Sequence, residues 1–266
     1  MRMDSASPSS GTFFTERISA QNFPDWVRFL RTLKDPNDIR NGLYFGFQPL
    51  YDRLVEGNVE QIARKDAILG LDAIMNASKA FLSSYYLGKP DIERFKDSID
   101  EIGWYVSSLG LGLPYVVKNR NIDRIIHSEQ VHGFLKTFIG HIVDGNVPKP
   151  DYIVGCACGS SEVVFALSGI INVGFGLMRR SFRRNDDIVR IVAEHEAAIG
   201  VGIKGSSVVC VEDYVGTGKS LASIIEAVNV HSPISVIGAS IIGSYTDVNL
   251  EHKLSSPDFN AYAHYE

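Results

Sequence analysis

The hydrophobic period of this chain changes once, near Gly145, and that change limits the folds open to it. From Phe23 to about Val143 the apolar residues recur at helical spacing. Ile92, Phe95, Ile99, Ile102, Val106 and Leu109 follow one another at intervals of three and four, which puts all six on one helix face. Ile68, Leu71, Met75, Ser78 and Leu82 predict a second stripe, and Val131, Phe134, Leu135, Phe138, Ile139 and Ile142 a third. Gly88-Lys89-Pro90-Asp91 reads as a stop and restart, with Asp91 as the cap. After the breaker-rich connection Asn146-Val147-Pro148-Lys149-Pro150 the runs become short and of strand length: Tyr152 to Val154, Val173 to Met178, Val208 to Val211 and Ile234 to Ile242. Helical patterns follow two of them, Glu162 to Ile171 and Ser220 to Val228. Strands alternating with helices predict an α/β fold with a mostly parallel sheet. In such sheets ligands bind beyond the carboxyl ends of the strands, here the loops after Val154, Met178 and Val211.

Two domains are therefore expected: a helical one over 1–146, opening with a flexible Ser-rich tail over 1–12, and an α/β one over 147–266. The hydrophobic share of 45% is enough for ordinary cores. A net charge of -5 argues against nucleic-acid and anionic-membrane partners. The Ser-rich start has no apolar segment of a secretory signal, and no run reaches the ~18 apolar residues of a membrane span. A reducing cytoplasm is the expected setting. Cys156 and Cys158 form a C-x-C pair, with Cys210 elsewhere, too sparse for a zinc site; small buried residues are the plainer reading.

The chemistry concentrates in Val208 to Leu221, VVCVEDYVGTGKSL. An apolar strand ends in the acidic pair Glu212-Asp213, and Gly216-Thr217-Gly218-Lys219-Ser220 opens a helix. A helix N-terminus offers unpaired N–H groups and partial positive charge, a ready site for a phosphate. Glycines allow close approach, and Thr217 and Ser220 add hydroxyl donors. Two carboxylates beside such a site suit sugar hydroxyls or a nearby magnesium ion. A Walker A loop shares the Gly218-Lys219-Ser220 ending. That motif needs glycine where this chain has Asp213, and a carboxylate there repels a triphosphate.

This segment resembles the phosphoribosyl pyrophosphate (PRPP) signature of type I phosphoribosyltransferases. It is similar to the form in hypoxanthine-guanine enzymes, and its Glu-Asp order also occurs in orotate enzymes. Two further segments share the resemblance, which covers about residues 150–243. Asp151 to Ser161 looks like the family's pyrophosphate loop. Gly176-Leu177-Met178-Arg179-Arg180-Ser181, followed by Arg183 and Arg184, looks like its basic strand end. Guanidinium forks suit phosphate oxygens, although an arginine cluster read alone is more often a solvated face.

The resemblance implies a transferase that joins a nitrogenous base to the ribose C1 of PRPP and releases pyrophosphate. Glu212 and Asp213 would hold the ribose hydroxyls, and Gly216, Thr217, Gly218, Lys219 and Ser220 the 5′-phosphate. Cys156, Ala157, Cys158, Gly159 and Ser160, with Arg179 and Arg180, would hold pyrophosphate. Magnesium is the implied cofactor, near Glu212 and Asp213 without assured direct protein ligation. Expected partners are PRPP, a base or nucleotide, and a second copy in a homodimer. A different class of reading keeps the PRPP site as a sensor in a regulator or partner-binding protein, and another makes the chain an effector acting on nucleotides.

Three departures bear on the substrate. Hypoxanthine-guanine enzymes carry an aspartate at the position of Gly216, where it handles the purine N7 proton; glycine cannot. The stretch from Asp186 to Ile203, placed where the family has a mobile loop, has no lysine such as orotate enzymes carry there. It holds Arg190 and the run Glu194-His195-Glu196, read first as a solvated helix face. Tyr214 is bulkier than the aliphatic residue common at its place in the signature.

Overall fold

The structure, a computed structural model, describes residues 23–57, 61–108, 128–157, 159–181, 186–215, 218–243 and 260–263. The expected tail over 1–12 lies outside them. The chain forms two compact units, Met1–Ile125 and Ile126–Glu266.

The first unit is helical: α1 (Phe23–Thr32), α2 (Pro36–Val55), α3 (Gln61–Tyr86) and α4 (Ile92–Ser108). Asp35 starts α2 as its N-cap, accepting the N–H groups of Asn37 at 2.8 Å and Asp38 at 3.3 Å, with Pro36 in the first turn. Asp91 does the same for α4, accepting the Arg94 N–H at 3.1 Å. The α4 stripe buries Phe95, Ile99 and Ile102, and α3 faces it with Leu71, Ile74 and Phe81. Phe81 and Phe95 meet with ring centroids 5.0 Å apart. In the α3 stripe Ile68 and Met75 are only half-buried; Ile74 and Ala77 take the core instead.

The second unit contains α5 (Ser128–Val143), β1 (Tyr152–Ala157), α6 (Ser161–Ile171), β2 (Gly174–Ser181), β3 (Asp186–Arg190), α7 (Ala193–Ile203), β4 (Ser207–Val215), α8 (Lys219–Asn229), β5 (Ser235–Gly243) and β6 (Asn260–Ala263). Helix α5 belongs here, so the units part between Ile125 and Ile126, whereas the sequence places a division after 146. The cause is its apolar face, Val131, Phe134, Leu135 and Phe138, because α5 packs on α6 and β5.

The six strands lie in the order β3-β2-β1-β4-β5-β6, parallel throughout except that β3 runs antiparallel to β2. This is the expected α/β fold, with two strands, β3 and β6, beyond those the sequence pattern suggested. Where the resemblance implied a mobile loop, residues from Asp186 onward are strand and helix. The β2 edge supplies partners for β3, and Ile199 and Ile203 anchor α7 in the core.

Helices cover both sheet faces. On one, Val154, Cys156 and Cys210 pack with Ile199 of α7 and with Ile224 and Val228 of α8. On the other, α6 lies across β1, β2 and β4, with residues 161–168 buried. Strand β1 is followed in sequence by its neighbour β2, while its other neighbour is β4. Connections therefore leave in opposite directions on either side of β1, and the carboxyl ends of β1 and β4 form the switch point where such sheets open a crevice. No helix among the described residues is long and apolar enough to cross a membrane.

Candidate active site

Three segments meet at that switch point: the β1–α6 turn, the end of β2, and the passage from β4 into α8.

The β1–α6 turn closes on itself. The Ser160 amide and hydroxyl both donate to the Cys156 carbonyl, at 3.2 and 2.9 Å, so this buried hydroxyl spends its proton on the turn. Cys156 points into the α8 side of the core. Burial first, then the charges of Glu212 and Asp213, push its thiol far above the ordinary range, so it remains a protonated core group rather than a thiolate. Cys210, wholly buried on β4, is likewise raised by burial. Cys158 lies outside the described residues.

The end of β2 carries the arginines. Arg179, half-buried, donates from Nη1 to the Ala157 carbonyl at 2.9 Å and so ties β2 to the β1–α6 turn. Arg180 is 6% exposed, and its Nη1 donates to the Lys219 carbonyl, tying the same strand to α8. A guanidinium has five N–H donors, and these two bonds use one from each. Arg183 and Arg184 lie outside the described residues.

Strand β4 sends its two acids to different places. Neighbouring strand residues point to opposite faces. Asp213 turns toward the β1–α6 turn, where a methyl group built on Gly159 would overlap its carboxylate and displace it. Glu212 turns toward α8 and is 7% exposed. Its carboxyl is pushed up to about 8, first by burial and then by Asp213, against the hydrogen bonds from Ser220 and the Leu221 amide and the charge of Arg180. Glu212 stands opposite Ser240 of β5 in register, a buried polar residue that the sequence reading did not single out.

Helix α8 starts at Gly218, whose φ of 70° is the left-handed region that favours glycine. Ser220 is buried and Lys219 exposed. Gly216 and Thr217 lie outside the described residues, and of Tyr214 only the backbone is described. The Glu194-His195-Glu196 run forms the first turn of α7, with both glutamates exposed and His195 half-buried.

The structure thus brings Gly159, Ser160, Arg179, Arg180, Glu212, Asp213 and the start of α8 to one end of the sheet. The sequence signalled each segment, but neither the divergence of the two acids nor the latching of the arginines onto neighbouring carbonyls. Strand alternation was the available signal for the first; nothing local signals the second.

Residues 135–261 match the family described as phosphoribosyl transferase domain. The orotate phosphoribosyltransferase of Fusobacterium nucleatum subsp. nucleatum is 26% identical over 157 residues, covering 58% of this chain and 68% of that protein. That of Malacoplasma penetrans is 26% identical over 152 residues, covering 57% and 66%. Among solved structures, adenine phosphoribosyltransferase from Saccharomyces cerevisiae aligns at 19% identity and a TM-score of 0.39, covering 52% of this chain and 79% of that one. Purine phosphoribosyltransferase from Pyrococcus horikoshii aligns at 21% and 0.39, covering 52% and 86%. Residues 135–261, just under half of this chain, thus match a phosphoribosyl transferase domain, and a helical region precedes them.

Proposed function

We propose that this chain is a phosphoribosyltransferase, using PRPP and magnesium to transfer a phosphoribosyl group to a nitrogenous base. One observation supports the reading: Gly159, Arg179, Arg180, Asp213 and the start of α8 lie at one end of the sheet, at the carboxyl ends of β1 and β4. The segment Gly216 to Ser220, leading into α8, would offer N–H and hydroxyl donors to the 5′-phosphate. Asp213 accepts from the ribose hydroxyls. The turn from Cys156 to Ser160, with Arg179 and Arg180 behind it, receives pyrophosphate through backbone N–H groups and guanidinium charge.

In the reaction the ribose C1–O bond to pyrophosphate breaks, the oxygen keeping the electron pair. A base nitrogen bonds to C1 and its proton passes to water. The transition state is oxocarbenium-like, so fixed charge and exclusion of water do most of the catalytic work. Among the described residues no cluster of three or more metal-ligating side chains exists. A magnesium ion would arrive on the ligand's phosphates, and Asp213 would supply a hard oxygen beside it. Bound there, the ion would neutralise the leaving pyrophosphate.

The relatives named orotate phosphoribosyltransferase make orotate the first acceptor to test. Gly216 leaves a 6-oxopurine without the family's N7 acid. The test is pyrophosphate release from PRPP and magnesium across orotate, adenine, hypoxanthine, guanine and uracil. Release dependent on one base supports the proposal. PRPP binding without release, with every base, would replace the enzyme by the sensor.

A further inference from the structure

Helix α7 is apolar on two sides. Ile199 and Ile203 face the core, yet the opposite side shows Ala193, Ala197 and Val201 to solvent, with no charged residue between Glu196 and Lys204. A helix whose outer side meets only water carries charge there. That side forms one wall of a groove of about 620 Å³, and Val230, His231 and Ser232 of the α8–β5 turn form the other. The His231 ring lies against α7 at Gly200, where a methyl group would come within 3.0 Å of its Nδ1. The turn is tied down from behind, as the Gly205 amide donates to the Ser232 carbonyl at 3.0 Å and the Ile234 amide to the Ser206 carbonyl at 2.9 Å. Val201, Val230 and Ile234 are 78%, 79% and 75% exposed along this edge. They are three of the six large apolar side chains left open among the described residues, so the exposure is a patch rather than scatter. The groove opens at the amino ends of β4 and β5, the end of the sheet away from the candidate active site.

We propose that this groove is a self-association surface, in which α7 of a second copy lies antiparallel to α7 of the first about a twofold axis level with Gly200. The charges select that occupant. Glu196 and Lys204 both line the groove, four residues to either side of Gly200 and so each about 6 Å from it along the helix. Turning a second α7 end for end about Gly200 sets Glu196 of each copy against Lys204 of the other. One pair of residues thus yields two ion pairs, as an isologous contact requires. A parallel arrangement would set Glu196 against Glu196. Ala197 and Val201 beside the axis supply the apolar contact and are small enough for two helices to approach closely. The inference is independent of the PRPP reading, since the groove shares no residue with that site.

The experiment is sedimentation velocity of the full chain from about 1 to 200 µM, the range in which a contact of small extent associates reversibly, with far-UV dichroism confirming that each variant folds. The parent passes from monomer to dimer across that range. Val201→Glu, Glu196→Lys and Lys204→Glu each weaken the dimer at least about tenfold, all three side chains being exposed and outside the core. The double variant Glu196→Lys/Lys204→Glu again presents opposite charges and returns to within about threefold of the parent. The Glu196→Lys and Lys204→Glu chains, each weak alone, pair when mixed, because each supplies the charges the other lacks. The proposal is overturned if the parent stays monomeric at about 200 µM. It is equally overturned if any single variant dimerises as the parent does, or if the double variant or the mixture fails to regain the dimer. Should Val201→Glu not fold, the charge variants decide alone.

Discussion

Replacing Glu212 by glutamine changes how the protein's stability depends on pH. In the folded chain burial, followed by Asp213, raises this carboxyl from 4.5 to about 8. The folded state therefore keeps a proton that the unfolded chain releases. The sign follows directly: the associated stability is complete below about 4.5, is lost as pH rises toward about 8, and stays lost above. At about 1.36 kcal/mol per pH unit the full difference is at most ~5 kcal/mol, and relaxation of the turn with entry of water reduces it to ~2–3 kcal/mol. Glutamine has the shape of the protonated acid and no charge to bury. The variant should match the parent within ~1 kcal/mol near pH 5 and exceed it by ~2–3 kcal/mol near pH 9. Urea denaturation of both proteins at about pH 5, 7 and 9, read by far-UV dichroism with the two units fitted separately, measures this. Parallel pH profiles would refute the reasoning, since other titrating groups are common to both proteins and cancel.

Gly159→Ala drives a methyl group into the Asp213 carboxylate, so it should destabilise by ~1–3 kcal/mol and weaken PRPP binding, measured by melting and calorimetry. Phe138→Ala should cost ~3–5 kcal/mol in the sheet unit's transition, because α5 packs there, and leave the helical unit's transition in place. Cys156 and Cys210 should resist alkylation in the folded protein near pH 8, both thiols being buried and raised; rapid mass addition at either one contradicts the packing. Hypoxanthine and guanine should be poor acceptors, and Gly216→Asp should not by itself create that activity; acid–base help is typically ~10²–10⁴-fold, so the defect should appear in rate rather than binding.

Much of this architecture was legible because the signals were local. The intervals of Phe95, Ile99 and Ile102 translate into burial, and Asp91 caps α4 as its place after Pro90 suggested. The site segment was legible for the same reason, as an apolar strand, an acidic pair and a glycine turn form one continuous stretch. Strand β3 was not. Asp186-Asp187-Ile188-Val189-Arg190 does not alternate, its Ile188 is 63% exposed, and it is a strand because the β2 edge offers partners. Helix α7 gives a weak pattern because, within an alanine- and glycine-rich run, Ile199 and Ile203 alone are buried. The placement of α5 depends on tertiary contacts with α6 and β5 that its stripe cannot name. Strand alternation sends the side chains of Glu212 and Asp213 to opposite faces, but the burial of Glu212 depends on what packs over that face.

The central claim, a PRPP site at the ends of β1 and β4, is tested most directly by thermal melting with millimolar PRPP and magnesium, comparing the parent with Asp213→Asn. A ligand at about 100 times its Kd stabilises by about 2.7 kcal/mol, so the parent's sheet unit should melt several degrees higher with PRPP, and the variant should show a smaller rise. An unshifted transition in the folded parent, with PRPP and with ribose 5-phosphate alike, would contradict the account.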